Sequence, residues 1–271
     1  MGEKELLKKF YDQVGENYPE EEQVYRTLRG TLRKKFVLDW LSKQEGSLLE
    51  IGTNRGMYLQ HYKGGARFGV DLSRTVLQHA HREKPVLYAV ADAERLQCFK
   101  PGSFDRVLCS EVIEHCFFPD LVFQSIAHVL KPNGQALLTT PNYKSQRPTW
   151  VELGSMVGYG IHSNWHEKYY HTAYRPEELA TFAESVGLEV IQAGTLEKEI
   201  KYIAKIPAAI LLVGRALNRL IKSPKFGQWN EDFFQKLSLF LHRITQETIV
   251  ERIALRFVKE GARSYIVMRK R

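Results

Sequence analysis

Glycines, acids and histidines at particular spacings set out the chemistry this sequence can support. Gly52 and Gly56 bracket the stretch Glu50-Ile51-Gly52-Thr53-Asn54-Arg55-Gly56, which follows an apolar run and leads into a helical pattern. Glycines there remove side chains where a backbone must approach a ligand, and the helix that follows presents free N–H groups. About twenty residues on, Phe68-Gly69-Val70-Asp71-Leu72-Ser73 ends a second apolar run in a carboxylate. A dinucleotide turn would want a third glycine and a phosphate on the helix start. Here Asn54 takes the middle position and Glu50 stands just before the first glycine. A carboxylate in that place suits a cationic ligand better than a pyrophosphate, and asparagine tolerates the left-handed backbone that such a turn needs.

Other reactive groups fall later. Asp92 follows a third apolar run, and Ser110-Glu111-Val112-Ile113-Glu114-His115 follows a fourth. His115, His166 and His171 are candidate catalytic bases, because an imidazole titrates near working pH. For each the alternative is a structural histidine bonded to backbone. Glu111 and His115 are four residues apart and could share a helix face.

The elements that must position these groups alternate. Strands are expected at Ser47 to Ile51, Ala66 to Val70, Val86 to Val90, Phe104 to Cys109, Gln135 to Thr140, Leu188 to Ala193 and Ser264 to Met268. Helical patterns separate them, notably Arg74 to Arg82, Pro119 to Leu130 and the segment opened by Arg175-Pro176-Glu177. This is the signature of an α/β protein with a Rossmann-like, mostly parallel seven-stranded sheet and helices on both faces. In such sheets ligands lie beyond the carboxyl ends of the strands. Glu50, Asp71, Asp92, Ser110-Glu111 and Thr140 all sit there.

Residues 1–46 read as an N-terminal helical cap, with Leu28, Leu32, Phe36 and Trp40 repeating every four and a break at Asn17-Tyr18-Pro19. Residues 47–195 form the core, 196–260 a helical insertion with two or three helical patterns, and 261–271 the last strand, all within a single domain. Tyr143 to His171 reads as a polar, aromatic loop whose Trp150, Tyr159, Trp165, Tyr169 and Tyr170 could help enclose a pocket. The 271 residues are 44% hydrophobic and 26% charged, which excludes disordered and collagen-like classes. A formal charge of +8 favours acidic partners without choosing among them. Cys98, Cys109 and Cys116 lack metal-site spacing and fit buried, reduced thiols. The charged opening residues carry no secretory pattern, so a cytoplasmic protein is expected.

Taken together, Leu49 to Gly56, Gly69-Val70-Asp71-Leu72-Ser73, Ala91-Asp92-Ala93, Phe104 to His115 and Leu130-Lys131-Pro132-Asn133-Gly134 resemble, in order and spacing, the class I S-adenosylmethionine-dependent methyltransferases. The resemblance is to the small-molecule group that includes the ubiquinone-biosynthesis O-methyltransferases, and it covers about residues 40 to 195 and the final strand. It implies S-adenosyl-L-methionine as cofactor. Glu50 and the turn of Gly52, Thr53, Asn54 and Gly56 would face its methionine part. Asp71, with Leu72 beside it, would take the ribose hydroxyls, Asp92 and Ala93 would meet the adenine, and Ser110, Glu111 and Val112 would line the site. A Glu-x-x-Glu-His group with a distant histidine is also similar to that of metal-dependent small-RNA 2′-O-methyltransferases, but many metal-free methyltransferases share those residues, and no metal ligand is assigned.

The expected reaction is in-line methyl transfer to a small-molecule or lipid-linked acceptor. The insertion is basic around an apolar centre from Thr195 to Lys225, so 196–225 could lie on an anionic membrane or could pack as a lid helix. Two other functions stay open at this stage: a non-catalytic cofactor-binding or interaction module, and RNA methylation. The second of these is disfavoured by the lack of a recognisable RNA-binding module.

Overall fold

A computed structural model of the chain describes residues 8–13, 15, 24–80, 86–152 and 168–271. The chain divides into two compact units, one made of Met1–Glu21, Val37–Gly194 and Arg263–Arg271, the other of Glu22–Phe36 and Thr195–Ala262. Residues 22–36, read from sequence as part of the cap, cluster with the insertion. Leu28–Leu41 is one helix, α1, whose turns belong to both units.

The first unit is built on a seven-stranded sheet. Its strands are β1 (Leu48–Ile51), β2 (Arg67–Asp71), β3 (Leu87–Val90), β4 (Phe104–Ser110), β5 (Leu130–Pro141), β8 (Leu188–Leu196) and β9 (Arg263–Lys270), in the order β3-β2-β1-β4-β5-β9-β8. β1 pairs in parallel with β2 and β4, and β9 runs antiparallel to β5. All four residues of β1 are buried, as a strand covered on both faces requires. Helices α2 (Met57–His61), α3 (Arg74–Gln78), α4 (Pro119–Val129) and α5 (Pro176–Ser185) connect the strands. α4 starts with proline at its first turn, and Val122, Phe123, Ile126 and Val129 form its buried stripe. In α5 the Glu178 carboxylate accepts the N–H of Arg175 at 2.8 Å, closing the helix start. Because the order runs outward from β1 to β3 and then resumes on its other side at β4, the switch lies between β1 and β4. A crevice at their carboxyl ends is where such sheets hold ligands.

Several boundaries differ from the sequence reading. The fifth strand begins at Leu130, which pairs with Phe104 before a register shift, and so includes the Lys131-Pro132-Asn133-Gly134 turn. The helix opened by Ser73 ends at Gln78, with residues 81–85 outside the described part. The aromatic loop contains an antiparallel pair, β6 (Trp150–Glu152) with β7 (Lys168–Tyr170), since backbone pairing outcompetes open loop where β-favouring residues face one another. The break at Asn17-Tyr18-Pro19, together with Tyr159, Trp165 and His166, lies outside the described residues.

The second unit contains four helices after residue 195, one or two more than the sequence suggested: α6 (Ile200–Ile203), α7 (Lys205–Ile221), α8 (Pro224–Thr245) and α9 (Ile249–Phe257). α7 and α8 form a hairpin. Ser223 caps α8 by accepting the N–H of Phe226, and the buried Asn230 donates to the carbonyl of Leu211 at 3.0 Å. Gly214 leaves room for Asn230, because a Cβ there would stand 2.2 Å from its side-chain oxygen.

Candidate active site

The turn after β1 is held in place by the two carboxylates that flank it. Gly52, Asn54 and Gly56 all have positive φ, at 67°, 50° and 81°. The Thr53 hydroxyl donates to Glu50 Oε2 at 2.8 Å, and Glu50 is buried. Asp71 receives the Asn54 N–H on Oδ2 and the Ser73 N–H on Oδ1, each at 3.0 Å, so one carboxylate ties the turn to the start of α3. Burial raises the Asp71 pKa, and the N–H groups of Ser73, Asn54 and Leu72 oppose that rise.

Space matters as much as conformation here. A Cβ on Gly52 would lie 2.2 Å from Val112 Cγ2, and one on Gly56 would lie 2.1 Å from the Tyr88 hydroxyl oxygen. The turn is therefore a backbone cradle overhung by Val112 and Tyr88. Within it the Asn54 side-chain oxygen is buried without a hydrogen-bond partner. Asp92 closes its own loop by accepting the Glu94 N–H at 3.0 Å, and Ala93 packs against the core.

A second cluster forms across the switch, at the ends of β4 and β5. Glu111 adopts φ 60°, a left-handed conformation costly for a residue with a Cβ. Three contacts fix it: its N–H donates to the Thr139 carbonyl at 2.9 Å, its Oε1 accepts the Thr139 hydroxyl at 3.2 Å, and Arg263 Nε lies 2.7 Å from its Oε2. Ser110 and Thr139 share a hydroxyl hydrogen bond at 2.9 Å. Glu114 is buried, accepts the Thr140 hydroxyl at 3.2 Å, and receives the Thr172 N–H on its backbone carbonyl at 2.9 Å. Burial and the neighbouring Glu111 charge push the Glu114 carboxyl well above the usual carboxylate range.

His115 and His171 come together, with ring centroids 4.9 Å apart. His115 Nδ1 lies 3.4 Å from the Tyr170 carbonyl, which only accepts, so Nδ1 is assigned the proton. Burial and the neighbouring His171 push its pKa down to about 3; burial lowers that of His171 too. His115 is thus neutral across the physiological range, and the same burial biases His171 toward its neutral form. The Glu111, Glu114 and His115 side chains turn to Arg263, Thr140 and Tyr170 respectively, and among the described residues no group of three His, Cys, Asp or Glu side chains is arranged to hold a metal ion.

The structure brings together all the sequence-predicted groups of the turn, Asp71 and the β4 terminus, with His115 and His171 beside them. His166 lies outside the described residues. Sequence reasoning missed Tyr11, Asp12, Tyr88 and Arg263. Asp12 accepts the Ser73 hydroxyl at 2.7 Å and Tyr11 meets His115 with centroids 5.4 Å apart. No local pattern marks these residues, because each reaches the site from a distant part of the chain.

Residues 49–138 match the family described as a methyltransferase domain. The ubiquinone biosynthesis O-methyltransferase of Ralstonia nicotianae is 31% identical over 176 residues, covering 59% of this chain and 71% of that protein. Its counterpart in Nitrosococcus oceani is 26% identical over 198 residues, covering 69% and 79%. Among solved structures, an S-adenosylmethionine-dependent methyltransferase from Mesorhizobium loti superposes with a TM-score of 0.53 at 14% identity, over 90% of this chain and all of that one. Haemonchus contortus phosphoethanolamine N-methyltransferase 2, solved with S-adenosylhomocysteine, gives 0.51 at 22% identity, over 88% of this chain and 52% of that one. These last two likenesses concern the fold. With a sheet switch that opens beside a glycine cradle, and with relatives of this identity and coverage, the chain belongs to the class I S-adenosylmethionine-dependent methyltransferases.

Proposed function

We propose that the chain moves the methyl group of S-adenosylmethionine to a phenolic hydroxyl of a small or lipid-linked acceptor. The observation that carries this reading is the pair of buried imidazoles, His115 and His171, both biased toward the neutral form, among aromatic rings beyond the end of β4. Flat rings suit a flat acceptor, and a neutral imidazole can take the proton that a phenol must lose. The names of the Ralstonia and Nitrosococcus relatives point the same way.

The residues of the cradle fit the cofactor. When bound, S-adenosylmethionine supplies an electrophilic methyl on a sulfonium. The Gly52 to Gly56 backbone admits it closely, and the partnerless Asn54 oxygen, with Glu50 behind the turn, suits its ammonium group. Asp71 would accept from the ribose hydroxyls, Asp92 and Ala93 would lie toward the adenine, and Leu72, Ser110, Glu111 and Val112 would complete the walls. The test is calorimetry with S-adenosylhomocysteine followed by labelled methyl transfer to a series of catechols. Binding without transfer to any phenol refutes the acceptor class.

Peripheral membrane contact through 196–225 belongs to the same proposal. The second unit carries 17 Lys and Arg against 8 Asp and Glu, whereas the first carries 22 against 23, so the excess positive charge resides wholly in the second. On α7, Ile206, Leu212, Val213, Leu217, Leu220 and Ile221 are exposed large apolar side chains. Apolar surface flanked by basic residues is what an anionic bilayer attracts. Among the described residues no helix is long and apolar enough to cross a membrane. Flotation with phosphatidylglycerol vesicles should recover the protein, and Leu217, Leu220 and Ile221 changed together to serine should abolish recovery. Equal recovery of both proteins refutes the contact.

A further inference from the structure

Five aromatic side chains from three parts of the first unit close on one another. Phe10 meets Tyr11 at 5.2 Å between centroids, Tyr11 meets His115 at 5.4 Å, and His115 meets His171 at 4.9 Å. His171 meets Tyr169 at 5.7 Å, and Tyr169 stacks on Phe10 at 5.1 Å. The N-terminal helical segment 8–13 thus forms one wall of the cluster. Two further contacts hold it there: Asp12 accepts the Ser73 hydroxyl, and Gly15 leaves space for Val76, whose Cγ2 would stand 2.6 Å from a Cβ.

Two polar atoms of this ring of rings are buried and have no hydrogen-bond partner, the Tyr11 hydroxyl and His171 Nδ1. A buried polar atom left unpaired costs about 1–3 kcal/mol, so these two, on rings that both meet His115, call for a partner that the free protein does not supply. Their chemistry is complementary. The tyrosine hydroxyl is a donor; burial, aided by Glu114 and other nearby groups, holds its pKa well above the usual value, so it keeps its proton. In the tautomer protonated at Nε2, His171 Nδ1 offers a lone pair.

Resting on the O-methyl transfer proposed above, we infer that Tyr11 and His171 grip the reacting hydroxyl of the acceptor, Tyr11 donating a hydrogen bond to its oxygen and His171 Nδ1 receiving its proton. The acceptor oxygen gains the methyl group as the carbon–sulfur bond breaks, and the proton it sheds goes to His171 and then to solvent, leaving a neutral ether and a neutral thioether. Tyr11 is then a catalytic residue supplied by the N-terminal segment, outside the motifs that mark the cofactor cradle.

The test uses the full chain with labelled S-adenosylmethionine and three probes: catechol, 3,4-dihydroxybenzoate and a polyprenylated catechol. Tyr11→Phe should lower kcat about tenfold to a hundredfold, the worth of one hydrogen bond to an oxygen that carries charge as its proton leaves. Its affinity for S-adenosylhomocysteine should stay at the wild-type value, and its thermal midpoint should rise or hold rather than fall, because the hydroxyl removed has no partner in the free protein. His171→Gln should lower kcat and also erase the acid limb of the pH profile, which a merely structural role would not move. Wild-type turnover with an undiminished Tyr11→Phe variant overturns the grip but leaves O-methyl transfer standing. Wild-type protein that binds S-adenosylhomocysteine and methylates none of the probes overturns both.

Discussion

Replacing Asp71 by Asn separates a structural carboxylate from a ligand-binding one. In the native site each carboxylate oxygen accepts one backbone N–H at 3.0 Å, from Ser73 and from Asn54. An amide offers one oxygen and one NH₂, so one of those N–H groups would face a donor. That mismatch costs about 1–3 kcal/mol and should appear as a lowered thermal midpoint. Loss of the charge acts separately on the ligand, because a hydrogen bond to a carboxylate is worth about 1.5–3 kcal/mol. The dissociation constant for S-adenosylhomocysteine should therefore rise roughly tenfold to a hundredfold. A cycle with the 2′-deoxy analogue isolates the ribose contact. If Asp71 takes the ribose hydroxyls, the analogue should lose little further affinity in the variant, a coupling of about 1 kcal/mol or more. Equal losses for both ligands, or a change below about threefold for either, would refute a direct ribose contact and leave Asp71 as a brace for the turn.

Other outcomes follow from the same geometry. Gly52→Ala should abolish S-adenosylhomocysteine binding by calorimetry, and adding Val112→Ala should restore only part of it, because the 2.2 Å clash is removed but left-handed strain of about 1–2 kcal/mol stays. Full recovery in the double variant would show that φ is unimportant there. Because the folded His115 pKa is depressed to about 3 while the unfolded imidazole titrates near 6.5, its contribution to stability is complete above pH 6.5. That contribution falls by about 1.4 kcal/mol per pH unit as the pH is lowered toward the folded pKa. Urea titrations of wild type and His115→Gln at pH 7, 6 and 5 should therefore converge as the pH drops, and parallel curves would count against a buried neutral imidazole. At the opposite end of the sheet, Asp105 is partly buried, but bonds from Lys131 and from the Ser47 N–H and hydroxyl outweigh that burial and lower its pKa to about 2. Asp105→Asn should cost about 1 kcal/mol of stability, discounted for exposure, without altering S-adenosylhomocysteine affinity; a changed affinity would mean that the two ends of the sheet are coupled.

The sequence by itself determined the alternation of elements and the glycine-bracketed turn after β1. Both are local: a fully buried strand must be apolar throughout, a left-handed turn must carry Gly or Asn, and the carboxylate that serves the turn ends the next strand. Leu48 to Gly56 and Phe68 to Ser73 could therefore be read without knowing what surrounds them. Apolar periodicity also showed the insertion to be helical. It did not show that 22–36 belongs with it, because the seam between units falls inside one regular helix, Leu28–Leu41.

Only the tertiary structure decided the surroundings of Glu111 and His115. Their partners come from separate elements, two of them from the two ends of the chain, and the loop closure that joins such residues leaves no trace in a sequence window. Tyr11 reaches His115, and Arg263 reaches Glu111, in this way. Val112 and Tyr88 look like ordinary strand-flanking residues until the fold sets them 2.2 and 2.1 Å from where the Cβ atoms of residues 52 and 56 would be. His115 reads from sequence as an imidazole titrating near neutrality. Its burial against a second imidazole, brought from beyond β7, is what makes it a neutral ring with a pKa near 3.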